Sequence, residues 1–99
     1  MAKLGSRWNV ERSLHRIFGQ VLEIYRIRAG LTQTEIAARS GVAQATLSRM
    51  ERGRMFAFHH IVSLAKAYGV EWIDICQTVY ETEAMYKRGR ENARDRTVS

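Results

Sequence analysis

The sequence predicts an all-α domain built from five helices, and three observations carry that expectation. The 99-residue chain contains no proline. No stretch shows the alternation of β-branched residues, at a period of two, that marks a half-buried strand. Apolar residues instead recur at steps of three and four, in segments separated by Gly30, Gly41, Gly53, Gly69 and Gly89.

The first helix places Val10, Leu14, Ile17, Val21 and either Ile24 or Tyr25 on one face, with Phe18 and Leu22 widening the stripe. It ends near Ala29-Gly30, where glycine can take the left-handed conformation that stops a helix. The second begins at Thr32-Gln33-Thr34-Glu35. That is a capping box, in which threonine caps the first turn and glutamate three residues on reaches back. It runs through Ile36, Ala37 and Ala38 to about Ser40, and Gly41-Val42 forms a tight break. The third covers about Gln44 to Arg52, buries Leu47 and Met50, and stops at Gly53. The fourth, roughly Phe58 to Tyr68, turns Ile61, Val62, Leu64 and Ala65 inward and stops at Gly69-Val70.

The fifth helix starts near Glu71, with acidic residues at its N-terminal end as the helix dipole prefers. Its stripe is Trp72, Ile75 or Cys76, Val79 and Tyr80, continuing to Met85 or Tyr86. Lys87 to Ser99 is polar, charged and almost without apolar residues, and reads as a frayed or disordered tail. The expected organisation is an N-terminal extension at 1–12, a folded domain at 13–80, and a C-terminal helix extension with charged tail at 81–99.

Composition narrows the function. The length suits one domain, and 45% hydrophobic with 26% charged residues is ordinary globular usage. No apolar run approaches the roughly 20 residues of a membrane span. Met1-Ala2-Lys3-Leu4-Gly5-Ser6-Arg7-Trp8 carries charge without the apolar segment of a secretion signal, so neither membrane insertion nor export is expected. The one cysteine, Cys76, can form neither an intrachain disulfide nor a thiolate zinc cage, which fits a reducing cytoplasm. On its stripe it reads as a small buried hydrophobe.

The formal net charge is +6, with a pI near 10.1. Residues 1–30 carry six basic and two acidic side chains, 31–69 five and two, and 70–99 five and six. The positive field therefore belongs to the first two-thirds, where it would attract a polyanion. His59 and His60 are adjacent, so on a helix they point about 100° apart and do not share a metal. Aspartate and histidine are scarce, and no serine sits in a nucleophile-elbow context. No catalytic constellation, metal site or cofactor is expected, and the chain does not read as an enzyme.

Gln33 to Arg52 stands apart from generic helical sequence. Two short helices joined by a short glycine-containing turn make the helix-turn-helix geometry. Ala37 supplies a small residue where the helices cross, and Ile36, Val42, Leu47 and Met50 supply a supporting core. The exposed face of the second of these helices then presents Gln44, Ala45, Ser48 and Arg49. Glutamine pairs with adenine and arginine with guanine by two hydrogen bonds each, while small residues touch the thymine methyl.

Leu31-Thr32-Gln33-Thr34-Glu35-Ile36-Ala37, Ser40-Gly41-Val42, Thr46-Leu47-Ser48-Arg49-Met50-Glu51-Arg52-Gly53 and Leu64-Ala65-Lys66-Ala67-Tyr68-Gly69-Val70 occur in order. Over roughly residues 17–78 the chain resembles the lambda repressor-like, Cro/repressor-type (XRE) helix-turn-helix family. The resemblance implies a five-helix DNA-binding domain. It implies that Gln33 bonds a backbone phosphate, that Gln44, Ala45, Ser48 and Arg49 face base edges, and that Thr46 and Arg54 hold phosphate. Arg26 and Glu51 match a pair that in relatives forms an ion pair beneath the recognition helix. Ala43 stands at the cap where the family usually has Ser or Thr. Arg54-Met55-Phe56-Ala57-Phe58 lacks the usual Asn-Pro-Ser and is one residue short, so Met55 and Phe56 either complete the core or meet a partner.

The function expected is that of a bacterial, phage or plasmid transcriptional regulator, cytoplasmic and nucleoid-associated. It would bind an inverted repeat in double-stranded DNA as a homodimer, and act as a repressor by occluding a promoter. Trp72, Cys76, Val79 and Tyr80 are candidates for the dimer seam, the other reading being packing within one chain. Arg88, Arg90, Arg94 and Arg96 form either an arm on phosphates or, diluted by Glu91 and Asp95, a solvated tail. The alternative function is an antitoxin-like interaction module that neutralises a protein partner and autoregulates through DNA. Such a protein partner is expected to be a toxin or the transcription machinery.

Overall fold

The computed structural model describes the backbone of residues 2–98 and the side chains of residues 13–89. Five helices follow one another: α1 (Ala2–Arg28), α2 (Gln33–Ser40), α3 (Gln44–Glu51), α4 (Phe58–Tyr68) and α5 (Trp72–Val98). No strand occurs among the described residues. α1 packs against both α3 and α5, and α2 packs against α3 and α4. α4 in turn packs against α5.

The core takes Ile17, Val21 and Leu22 from α1, Ile36 from α2, Val42 from the turn, and Leu47 and Met50 from α3. α4 adds Ile61, Leu64, Ala65 and Tyr68, and α5 adds Ile75 and Val79. The three- and four-residue spacing within each helix makes this possible, because one buried stripe per helix suffices. Where the sequence left alternatives, helix phase decides. Tyr25 packs against the core while Ile24 is 45% exposed, and Ile75 is fully buried while Cys76 is half-buried. Met85 and Tyr86 are both exposed. Met55 and Phe56 pack against the core, with the Phe56 ring 4.8 Å from Phe18 and stacked at 5.8 Å on His15.

α1 and α5 are longer than their apolar stripes. α5 continues to Val98, through the segment whose polar composition predicted a frayed tail. Arg, Glu, Lys and Ala all favour helix, so a segment poor in apolar residues can still extend one. Val10 and the rest of the 1–12 extension lie outside the residues whose side chains are described, as do Arg90, Arg94 and Arg96.

Tyr25 fastens α1 to α5. Its hydroxyl lies 3.0 Å from Thr78 Oγ1, and its ring stacks on Tyr68 at 6.5 Å between centroids. Burial pushes the Tyr68 phenol above its ordinary range. Among the described residues the Tyr68 hydroxyl has no hydrogen-bond partner.

Two glycines control how α1 meets α3. A methyl group on Gly19 would lie 2.5 Å from the carbonyl oxygens of both Met50 and Glu51, so the last turn of α3 rests directly on the α1 backbone. Gly53 ends α3 at φ +73°, and a side chain there would strike the Arg16 backbone at 2.7 Å. Only glycine meets both the conformation and the clearance at that turn.

Candidate nucleic-acid interface

α2 is fixed at both ends. The Thr32 hydroxyl accepts from the Glu35 N–H at 3.1 Å, and the Thr32 N–H donates to Glu35 Oε1 at 3.0 Å. These bonds hold the Glu35 carboxyl below its usual pKa. Gly41, at φ 78°, closes the helix, and the Val42 N–H donates to Ser40 Oγ at 3.1 Å. The chain then reverses into α3 at Ala43, which supplies no side-chain cap. The first N–H groups of α3 therefore have no side-chain partner at the cap, where the helix dipole favours an anion.

α3 has two unlike sides. Leu47 and Met50 are buried, while Gln44, Ala45 and Arg49 are exposed and Ser48 and Thr46 half-exposed. The outward side carries two long polar side chains and two small residues, a set able to read base edges. Arg49, Arg52 and Arg54 are exposed. The ion pairs among the described residues are Arg26–Glu51 and Lys87–Glu83, so those three guanidinium groups are uncommitted there.

Beneath this surface lies a partly buried polar cluster. Arg26 donates from Nε to Glu51 Oε2 at 2.8 Å and from Nη2 to Glu51 Oε1 at 3.1 Å, and from Nη1 to the Leu31 carbonyl at 3.0 Å. The two-pronged contact holds the Arg26 pKa above its already high ordinary value. Gln33 Nε2 also donates to Glu51 Oε1, at 3.0 Å, and Gln44 Nε2 donates to Gln33 Oε1 at 3.2 Å. A chain of side-chain hydrogen bonds thus runs from the interior to the outward face. Residue spacing gave no sign that Gln33 and Gln44 belong to it, and Gly19 was likewise missed. A glycine inside an apolar stripe was the available signal for the latter.

The candidates on α5 separate. Val79 is only 3% exposed and packs within this chain's own core, so it is withdrawn as a seam residue. Trp72 is partly exposed and meets Phe58 edge-on at 5.2 Å, whereas Tyr80 is 70% exposed. Cys76 is half-buried, and burial raises its thiol pKa. Ile27 and Ile73 are exposed apolar residues that the stripe reading did not single out.

His59 and His60 differ from expectation, since their rings lie 4.1 Å apart at 45° rather than diverging. Burial, then the charge of His59, lowers the His60 pKa. Among the described residues no group of three or more His, Cys, Asp or Glu could hold a metal ion. No described helix is long and apolar enough to cross a membrane.

The family model described as helix-turn-helix matches residues 22–75. The chain is 36% identical over 70 residues to the uncharacterized HTH-type transcriptional regulator y4dJ of Sinorhizobium fredii (strain NBRC 101917 / NGR234), covering 70% of this chain and 91% of that one. A crystal structure of the clp gene regulator ClgR from Corynebacterium glutamicum superposes with a TM-score of 0.74 at 28% identity, over 82% of this chain and 87% of that one. A second crystal structure of ClgR gives 0.65 at 28% identity, over 70% and 91%. By sequence and by fold together, the chain belongs to the lambda repressor-like (XRE) helix-turn-helix family.

Proposed function

We infer that this protein is a sequence-specific, double-stranded DNA-binding transcriptional regulator that represses by occupying an inverted-repeat operator as a homodimer. The observation that carries the reading is the division of α3 into a buried side and an outward side bearing Gln44, Ala45, Ser48 and Arg49. In this reading α3 enters the major groove, and Gln44 and Arg49 supply much of the base discrimination. Gln33, Thr46 and Arg54 contact phosphates and fix the docking angle. Such contacts supply much of the affinity and make it steeply salt-dependent.

A homodimer follows from the small reading surface. One copy covers a single half-site, and symmetric pairs of this class bind half-sites about 34 Å apart. Tyr80 and Trp72, with Ile73 beside them on α5, are the exposed apolar residues offered to a second copy. The antitoxin-like reading rests on residues 1–12, on Met55 and Phe56 and on the amphipathic fifth helix; Met55 and Phe56 pack against the core, which weakens that one of its three grounds.

Replacing Arg49 with alanine tests the reading. Specific binding is expected to weaken by roughly 1–3 kcal/mol, with relaxed preference at one base pair. A gel-shift titration in which selectivity is unchanged would remove Arg49 from the reading surface.

A further inference from the structure

The turn that leaves α3 folds back on it. The Gly53 N–H donates to the Met50 carbonyl at 3.0 Å and the Arg54 N–H to the Arg49 carbonyl at 2.9 Å, so the Arg54 backbone lies against the last turn of the helix. On its other side the turn meets α1. A Cβ on Gly53 would lie 3.0 Å from Arg16 Cγ as well as against the Arg16 backbone, so the stem of Arg16 lies over the turn that Arg52 and Arg54 flank. All three arginines are exposed, and among the described residues no carboxylate pairs with any of them. Three like charges gathered on one turn repel one another, and a polyanion would offset that repulsion.

We propose that Arg16 is a DNA-backbone contact, closing with Arg52 and Arg54 a phosphate site at the far end of α3. The inference rests on the DNA-binding reading above and adds α1 to the interface. Arg49 belongs to the outward side of α3, and its carbonyl is the one that holds Arg54, so positive charge continues from that side to the turn. α3 has 8 residues, about 12 Å of helix, and the major groove is about 12 Å wide. A helix whose outward side lies in that groove brings its far end to the phosphates of the bordering strand. Arg16 precedes residues 22–75, the span that matches the family model. The contact is therefore carried by a residue outside the shared motif. The planar fork of arginine can hold two oxygens of one phosphate. A phosphate carries no sequence information, so Arg16 adds affinity and register but no base preference.

The experiment uses the full chain and the duplex it retains best from a random library. Affinity is measured by gel shift over a range of salt concentrations for wild type, Arg16→Gln and Arg16→Lys. Lys66→Gln, which removes an exposed charge from α4, serves as reference. Arg16→Gln is expected to lower the slope of log affinity against log salt by about one, and to weaken every duplex by the same factor. Its melting temperature should be little changed, because Arg16 is exposed. Arg16→Lys keeps the charge and is expected to keep the slope, and Lys66→Gln should leave it unchanged. Duplexes in which single phosphates are replaced by uncharged methylphosphonates locate the contact. One such replacement should weaken wild type yet leave Arg16→Gln no weaker, since two changes to one contact are not additive. An unchanged slope in Arg16→Gln, or additive losses at every phosphate, would overturn the proposal and leave the DNA-binding reading intact. An equal fall in slope for Lys66→Gln would reduce Arg16 to its share of the net charge, with the same consequence. A change of base preference in Arg16→Gln would make it a reader of bases and also overturn the proposal. A wild type that binds every duplex alike would overturn both.

Discussion

The two short helices of the motif are held in opposite ways. α2 carries its own fastenings, with a reciprocal pair of hydrogen bonds at Thr32 and Glu35 and a glycine stop at Gly41. α3 has no side-chain cap and is secured from beneath, by Leu47 and Met50 in the core, by Glu51 on Arg26, and by its last turn resting on Gly19. Each has 8 residues, fewer than an isolated helix needs in water. The contrast shows how a helix can keep the N–H groups of its first turn free of a side-chain cap for a ligand. Its stability comes from the side a ligand never sees.

If that contrast holds, breaking the support of α3 costs more than breaking the cap of α2. Glu51→Ala has the largest expected effect, about 3–5 kcal/mol, because it leaves the Arg26 guanidinium without its partner. Denaturant titration followed by circular dichroism measures it, and a loss below 1 kcal/mol would mean that α3 does not depend on the pair. Gly19→Ala follows at roughly 1–3 kcal/mol, since its methyl meets backbone oxygens that cannot rotate away. Alanine is the better helix former, so a net gain in melting temperature would show that α1 and α3 separate easily.

Thr32→Ala is expected to cost about 1 kcal/mol through the lost cap, and Ala43→Ser to return a similar or smaller amount to α3. Thermal melts of the two variants sharpen the comparison, and an insensitive Thr32 would place α2 in the same class as α3. The smallest effect is acidic. The folded Glu35 pKa lies below its ordinary 4.5, so its contribution is present above that value and is lost as pH falls through the lowered one. Glu35→Gln should flatten the acid limb of melting temperature against pH, and an unchanged limb would remove Glu35 as a contributor.

The same contrast explains what was legible beforehand. The α2 cap lies within four consecutive residues, so the sequence displays it whole. Five helices and most of the core followed from spacing alone, because a buried stripe repeats within each helix. The Arg26–Glu51 pairing came from resemblance to a family, since nothing in its spacing announces it. Gly19 went unread because its importance lies in the carbonyls of Met50 and Glu51, which only the folded chain brings to it. The hydrogen-bond chain from Glu51 to Gln44 was hidden for a similar reason, as it passes through Gln33 on another helix. Val79, left open between a dimer seam and this chain's own core, lies in the core, whereas Tyr80, read onto the same stripe, is one step of about 100° away and exposed. The ends of α1 and α5 were underestimated because the reading followed recurring apolar residues, and helix propensity without such a stripe leaves no periodic mark.

The central claim is that the outward side of α3 reads DNA sequence. Selection of bound duplexes from a random library by the purified protein, at near-physiological ionic strength, tests it most directly. The account predicts enrichment of one short sequence in two inverted halves, centred about one helical turn apart. Equal, weak retention of every duplex would contradict it.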